Sequence, residues 1–404
     1  MKKELPSLKR EKWLKAPDVQ RVLAALGDAR VAGGAVRNAL LGEPVLEVDI
    51  ATPLSPEKVM EIGEKSGFGV HPTGLSHGTV TLTLDKKPFE VTTLRHDVET
   101  DGRRAKVAFT SDWAADAMRR DFTMNALYCD AEGNILDFVD GYTDILKKRV
   151  RFVGTPSARI REDYLRILRF FRFHARYGKG APDKAGLAAV TRLRKGLTQL
   201  SAERIRQELF KLLVAPRAVP TLQIMQKQGI LRVISPPLRD ISVLKRMAAI
   251  DEKNKLAPDP LLRLQMLSGD ARPLANTLRL TRKELARLEA LGKHLSPTPK
   301  LRDSERRAVL HAMGEECWRD SVRIAWAKSR APLNDKTWRD LLRLPDKWQP
   351  PAFPLKGADL VTAGIKPGPE IGRLLGDLED WWVAAGFKPG KDELLARLGQ
   401  LKND

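Results

Sequence analysis

Between Arg161 and Phe173 the chain reads Arg-Glu-Asp-Tyr-Leu-Arg-Ile-Leu-Arg-Phe-Phe-Arg-Phe, a run that belongs on a helix. Asp163, Arg166, Arg169 and Arg172 recur at every third position. On a helix such a row forms one ridge slanting across the surface. Leu165, Leu168 and Phe171 wall it on one side, and Ile167, Phe170 and Phe173 on the other. That is too apolar a setting for a plain solvated face. The ridge is therefore read as part of a site.

The rest of the chain falls into two styles. Before about residue 155, strand signals dominate. Val80, Leu82 and Leu84 alternate with Thr79, Thr81 and Thr83, the period of a half-buried strand. Asp85 to Pro88 turns the chain, and Phe89, Val91 and Thr93 return with the same alternation. After residue 155 the spacing is helical, as in Glu162 to Tyr177, Ala202 to Val214 and Lys283 to Leu295. Proline and glycine breakers separate these runs, at Gly178 to Asp183, Pro216 to Pro220, Ser235 to Pro237 and Pro297 to Pro299. The expected fold class is α+β, with an α/β head built on a small mixed sheet and helices, followed by an all-helical remainder. The expected divisions are a head over 1–150, a helical neck over 151–215, a helical body over 216–345 and a helical tail over 346–404.

Charge narrows the partners. Lys and Arg total 71 against 51 Asp and Glu, a formal net charge of +20. A surface so basic favours phosphate-rich polymers or anionic membranes. No apolar run approaches the roughly 20 residues that cross a bilayer. Cys129 and Cys317 stand far apart and fit no metal-ligand spacing, so both are read as buried thiols. The start, Met-Lys-Lys-Glu-Leu-Pro, has no apolar stretch of a secretory signal, and a cytoplasmic address is expected.

Three further motifs carry chemistry. In Val31-Ala32-Gly33-Gly34-Ala35-Val36-Arg37-Asn38, an apolar stretch meets paired glycines and a helix-like segment. Glycine lets the backbone approach a ligand closely, and free N–H groups at a helix start suit a phosphate. Arg37, one turn in, would reach the same anion. A plain strand–turn–helix corner is the alternative. In Leu46-Glu47-Val48-Asp49-Ile50-Ala51-Thr52, a strand would put Glu47 and Asp49 on one face and Leu46, Val48 and Ile50 on the other. Two such carboxylates make a compact site for hard cations such as Mg²⁺, which can clamp the oxygens of a phosphoryl transfer. A solvated acidic edge is the alternative. In Arg119-Arg120-Asp121-Phe122-Thr123-Met124-Asn125-Ala126-Leu127, four charged or amide groups crowd a largely apolar segment, read as helix. Arg120 is a plausible triphosphate contact. Asp121 and Asn125 would share a ribose or fix each other.

The ridge itself suggests what is read. Cytosine and adenine both present an amino donor beside a ring-nitrogen acceptor; uracil and guanine present the reverse. A carboxylate accepts and a guanidinium donates. The Asp163/Arg166 pair would therefore accept C and A. Against U and G it would leave buried groups unpaired, at roughly 1–3 kcal/mol each.

Taken in order, GGAVRN, LEVDIAT, GTVTLTL with FEVTTLR, RRDFTMNALY, DFVDGYTDI and EDYLRILRFFRF resemble the motifs of the class II tRNA nucleotidyltransferases. These are the CCA-adding enzymes, related to bacterial poly(A) polymerases. The resemblance covers about residues 28–215 and resumes at FPLKGADLVTAGIKPGPEIGRLL. It implies a nucleotidyltransferase head followed by neck, body and tail, with the body and tail holding tRNA. It implies Mg²⁺ as cofactor, bound by Glu47 and Asp49. Glu47, Asp49 and Arg120 are then the expected catalytic residues. Gly33, Gly34, Arg37, Arg120, Asp121, Asn125, Asp163, Arg166, Arg169 and Arg172 are the expected nucleotide contacts. Glu90 lies on a strand that can bring a third carboxylate. Two positions depart from the family pattern: Glu47 stands where Asp is usual, and Asn38 follows Arg37 where Asp is usual.

The implied activity is addition of CCA to the 3′ end of tRNA from CTP and ATP, with release of pyrophosphate and protein-templated base choice. The segment His96 to Met118, with Arg103, Arg104 and Lys106, resembles the full-length flexible loop of enzymes that add both C and A. The alternatives are a poly(A) polymerase, a partial CC- or A-adding enzyme, and an RNA-binding protein with a decayed site.

Overall fold

The structure is a computed structural model, and it describes residues 4–101, 104–238, 240–292 and 295–401. The chain divides into two units, Met1–Arg239 and Asp240–Asp404.

The first unit is built on a seven-stranded mixed sheet. Its strands are β1 (Arg30–Ala32), β2 (Ile50–Thr52), β3 (Gly69–Gly74), β4 (Thr79–Leu84), β5 (Lys87–Thr93), β8 (Leu127–Cys129) and β9 (Ile135–Asp137). Strands β6 (Arg95–Asp101) and β7 (Arg104–Phe109) form a separate two-stranded ribbon. The sheet runs in the order β3-β4-β5-β2-β1-β8-β9. Among the described residues only β2 and β5 pair in parallel, with Ile50 opposite Val91. The expected hairpin is β4–β5, with Leu82 opposite Phe89. Its turn is tighter than expected: Asp85 and Lys86 alone reverse the chain, at φ 49° and 64°. Two successive positive φ values match the twist of the flanking strands. Val80, Leu82, Phe89 and Val91 are buried, which is the single apolar face that the alternation requires.

Helices α1 (Pro17–Leu26), α2 (Gly34–Leu41), α3 (Pro56–Lys65), α4 (Trp113–Met118) and α5 (Gly141–Leu146) accompany the sheet. Next come α6 (Pro156–Glu162), α7 (Leu165–Tyr177), α8 (Lys184–Arg192), α9 (Ala202–Leu213), α10 (Ala218–Lys227) and α11 (Ile230–Ile234). Ala32, Ala51, Leu94, Trp113, Ala117, Ala126, Tyr128 and Val153 make a core cluster that joins β1, β2 and β8 to α4. Phe122, Phe152, Phe170 and Phe173 stack into an aromatic core beneath α7, Phe152 and Phe170 lying 5.4 Å apart and nearly parallel.

Three local expectations are corrected. The segment 119–127 is not a helix: α4 ends at Met118, a single 3₁₀ turn spans Thr123–Asn125, and β8 begins at Leu127. The segment read as a flexible loop contains the β6–β7 ribbon, and Arg103 lies outside the described residues. The helical run from Glu162 is broken, because Asp163 is extended at φ −156° and α7 starts only at Leu165.

The second unit is helical throughout its described residues. Its longest helix, Asp303–Lys328, is kinked at Gly314, where φ is 74°. Trp318, Trp326 and Trp382 are buried there. Towards the C-terminus, Leu355, Leu360, Ile365, Leu374, Leu378, Trp382, Leu394 and Leu398 form their own apolar cluster. Among the described residues no helix is long and apolar enough to cross a membrane.

Candidate active site

The site is assembled where β1 runs into α2. Val31 and Ala32 are buried in the sheet, and Gly33 turns the chain into the helix at φ 66°. A Cβ at Gly33 would stand 3.0 Å from Arg120 Nη1 and 3.3 Å from the Asn125 carbonyl oxygen. Both the backbone angle and this close approach require glycine.

Arg37 follows one turn into α2 and is 8% exposed. Its Nη1 donates to Asn125 Oδ1 at 2.5 Å, and its Nη2 donates to the Tyr177 hydroxyl at 2.9 Å. Asn38 Oδ1 accepts from Arg37 Nε at 3.1 Å and from Nη2 at 2.8 Å. The amide thus supplies an acceptor where a carboxylate is usual. Burial lowers the Arg37 pKa, while the Tyr177 and Asp121 side chains work to raise it.

The acidic pair precedes β2 instead of lying within it. Glu47 and Asp49 are exposed while Val48 and Ile50 are buried, so the expected alternation holds from Glu47 to Ile50 and ends within β2, where Ala51 and Thr52 are buried too. It fails at Leu46, which is 87% exposed. The Asp49 carbonyl accepts the Ala32 N–H at 2.8 Å, which anchors it beside the glycine turn. Although Asp49 is exposed as a residue, neighbouring protein atoms displace part of the water around its carboxyl and push its pKa up, and the like charges of Glu90 and Glu47 push it further; Arg120 works the other way. Among the described residues no three His, Cys, Asp or Glu side chains stand close enough to hold a metal ion by themselves.

Arg120 hangs over the glycine turn, fixed by a buried hub. Asp116, 1% exposed, accepts from Arg120 Nη2 at 3.1 Å, from Arg119 Nη2 at 2.6 Å and from the Tyr128 hydroxyl at 2.6 Å. Burial works to raise the Asp116 carboxyl, but Arg120 and Arg119 outweigh it and hold it below the usual range. Asp121 Oδ1 accepts from Asn125 Nδ2 at 3.0 Å, so these two residues do fix each other. Asp121 Oδ2 accepts from Arg169 Nη2 at 2.5 Å, which ties the 119–127 segment to α7.

The four residues of the row fare differently. Asp163 Oδ1 caps Leu165 N–H at 3.0 Å, and its Oδ2 accepts from Arg204 Nη2 at 2.8 Å. Arg166 Nη1 donates to Glu162 Oε2 at 2.6 Å and to the Arg159 carbonyl at 2.9 Å. Asp163 and Arg166 are therefore each held by another residue. Arg172 donates to Glu208 Oε2 at 2.5 Å and stacks 4.5 Å from the Phe173 ring centre.

A cavity of about 450 Å³ unites most of this. Gly33, Gly34, Arg37, Asp49, Arg120, Asp121, Asn125, Asp163, Arg166 and Arg169 line it; Glu47 and Arg172 do not. Such a volume lies within the usual range for a small-molecule site. A second cavity of about 190 Å³ shares Ala32, Asp49, Arg119 and Arg120 with the first and adds Glu90 and Asp116. Glu90 sits there because β5 pairs in parallel with β2, one residue in register behind Ile50–Val91. Sequence reasoning missed Arg119, Arg204, Asp116 and Glu208. Arg119 was readable as the first arginine of an Arg-Arg pair, whereas the others act through the tertiary fold.

The head of the chain matches a known family model. Residues 29–151 match the family described as "Poly A polymerase head domain", and residues 181–241 match "Probable RNA and SrmB- binding site of polymerase A". The mitochondrial CCA tRNA nucleotidyltransferase 1 of Danio rerio is 35% identical over 389 residues, 92% of this chain and 87% of the relative. The CCA-adding enzyme of Levilactobacillus brevis is 30% identical over 403 residues, 97% of this chain and 98% of its own length. The solved structure of the Bacillus stearothermophilus CCA-adding enzyme in complex with CTP superposes with a TM-score of 0.76 at 27% identity. That match covers 96% of this chain and 98% of the other.

Proposed function

Because the chain belongs to the CCA-adding tRNA nucleotidyltransferases, we propose that it completes the 3′ end of tRNA with C, C and A, using CTP and ATP and releasing pyrophosphate. The supporting observation is that one cavity holds both Asp49 and the pair Asp163/Arg166. The group that serves phosphoryl transfer and the groups suited to reading C and A thus face one nucleotide-sized space.

In this reading the N–H groups at Gly33 and Gly34, together with Arg37 and Arg120, receive the triphosphate. Asp163 accepts from the amino group of the incoming base, and Arg166 donates to its ring nitrogen. Arg169, drawn in by Asp121, supplies further positive charge to the same cavity. Arg172 backs the site by stacking on Phe173, one of its walls. The 3′-hydroxyl of tRNA attacks the α-phosphate, and the arginines neutralise charge that gathers on the leaving pyrophosphate. Catalysis of this kind rests on positioning and charge.

Nucleotidyltransferases of this kind use divalent metal ions. Glu47 and Asp49 would hold Mg²⁺ here. The fit rests on oxygen-only donors and on a carboxyl, Asp49, that burial and like charge leave short of compensating positive charge. One or two protein carboxylates suffice for Mg²⁺, which takes its remaining ligands from water and phosphate oxygens. When bound, it supplies charge neutralisation at the reacting phosphate and activation of the attacking hydroxyl.

The head (1–150) and neck (151–215) carry the chemistry and base choice in this account, and the body (216–345) and tail (346–404) hold the tRNA through shape and backbone contacts. A cytoplasmic setting is part of the same reading, supported by two buried, unpaired thiols at Cys129 and Cys317. The test is incubation with tRNA lacking its last three nucleotides, plus CTP and ATP. Products ending in CCA support the proposal. Unlimited runs of A on any RNA sink it in favour of a poly(A) polymerase.

A further inference from the structure

Helix α9 packs against α7 and carries charges that answer those of the row. Arg204 reaches the acid, Asp163, at 2.8 Å. Glu208, one turn later, reaches Arg172 at 2.5 Å and stands 4.0 Å from Arg169. Glu208 is buried, whereas Arg204 is a quarter exposed and lines the 450 Å³ cavity beside Asp163 and Arg166.

Asp163 lies outside any helix, at φ −156° and ψ 108° between α6 and α7. Its side chain is held at two points, by the Leu165 N–H on Oδ1 and the Arg204 guanidinium on Oδ2. A carboxylate oxygen has two acceptor positions. Each hold therefore leaves its oxygen one further acceptor position, and together they fix the plane in which that acceptor points. With the Leu165 cap alone, the carboxylate is free to turn about it and take up water.

We propose that Arg204 is a positioning residue for base choice. By gripping Oδ2 it keeps the Asp163 carboxylate aimed into the cavity, so that an amino group of C or A is accepted and a carbonyl of U or G is refused. This rests on the reading of Asp163 and Arg166 as the base-recognising pair. Arg204 does not itself touch the nucleotide in this account.

The experiment measures kcat/KM for CTP and for UTP on tRNA lacking its last three nucleotides, in the wild-type chain and in Arg204→Met, Arg204→Lys and Asp163→Ala. Arg204→Met keeps the length of the stem and removes the guanidinium. The CTP-to-UTP ratio should fall by about tenfold or more, the scale of one charged hydrogen bond. Arg204→Lys should restore part of it, since a point charge grips one oxygen without the planar fork. Inhibition by pyrophosphate should stay unchanged, because no phosphate contact is lost. An unchanged CTP-to-UTP ratio in both arginine variants overturns the proposal, and so does weakened pyrophosphate inhibition, which would make Arg204 a phosphate contact. If Arg204→Met does not fold, the ratio in Arg204→Lys decides alone. Asp163→Ala separates the two levels. Unaltered base choice there removes the base-recognition reading itself. Relaxed choice there, with none in the arginine variants, removes only the role of Arg204.

Discussion

Asp121 Oδ2 accepts both Nε and Nη2 of Arg169, at 2.8 and 2.5 Å, across 48 residues of sequence. Burial alone would raise this carboxyl, but Arg169 and Asn125 outweigh it and hold it below its usual range. The pair connects the turn that carries Arg120 to the helix that carries Arg166. The proposed triphosphate contacts and base-reading groups are thereby held in one frame.

Removing one partner should be costly. Asp121→Ala leaves Arg169 without a close carboxylate, with Glu208 at 4.0 Å and the Phe173 ring centre at 5.4 Å. We expect a loss of about 3 kcal/mol in unfolding free energy, as for a broken, largely buried ion pair. Urea unfolding measures it, and a loss below about 1 kcal/mol would place the pair among surface bridges.

Asn38→Ala removes the acceptor that Arg37 uses twice. The guanidinium keeps Asn125 and Tyr177 but loses the hold on its Nε edge. The KM for both CTP and ATP should rise by roughly tenfold with a smaller change in kcat, since one charged hydrogen bond is at stake. An unchanged KM would show that Arg37 is held well enough without Asn38.

Asp49→Asn should separate stability from activity. The folded site raises the Asp49 carboxyl, so the group favours folding only when protonated and disfavours it once pH rises through its folded-state pKa. At neutral pH, without divalent ions, the amide should therefore raise Tm while abolishing incorporation. A lowered Tm would contradict the like-charge environment drawn from Glu90 and Glu47.

His174 should shape the acid side of the stability curve. It is 2% exposed, and burial together with Arg217 pushes its pKa from 6.5 down to about 4. Above pH 6.5 the ring is neutral in both folded and unfolded chains. Below that, the unfolded chain takes the proton first, and stability is lost as pH falls towards 4. The full loss is on the order of 3 kcal/mol. His174→Leu should flatten denaturant midpoints between pH 6.5 and 4; an unaltered slope would assign the acid sensitivity to other groups.

What could be read from the chain depended on whether a pattern was local. The β4–β5 hairpin was plain, because alternation and a turn lie side by side. Gly33 and Arg37 were readable because β1, the turn and α2 are consecutive, and Asp49 because it alternates with apolar neighbours just before β2. The break at Asp163 was not, since the apolar spacing runs on through it and only the cap on Leu165 marks the stop. The 119–127 segment misled for a similar reason. Its apolar residues are buried between neighbouring elements on several sides, so no single helical face is needed to account for them. Arg204 and Glu208 were out of reach. Their partners lie 41 and 36 residues away, and on their own helix they read as ordinary surface charges.

The most direct test of a single site for both nucleotides is Asp49→Ala, assayed in parallel for C addition to tRNA lacking its last three nucleotides and for A addition to tRNA ending in CC. A single site predicts that both additions disappear together while tRNA binding is kept, since Asp49 lines the cavity proposed for the nucleotide and the expected tRNA-holding residues lie elsewhere. Survival of either addition would contradict it.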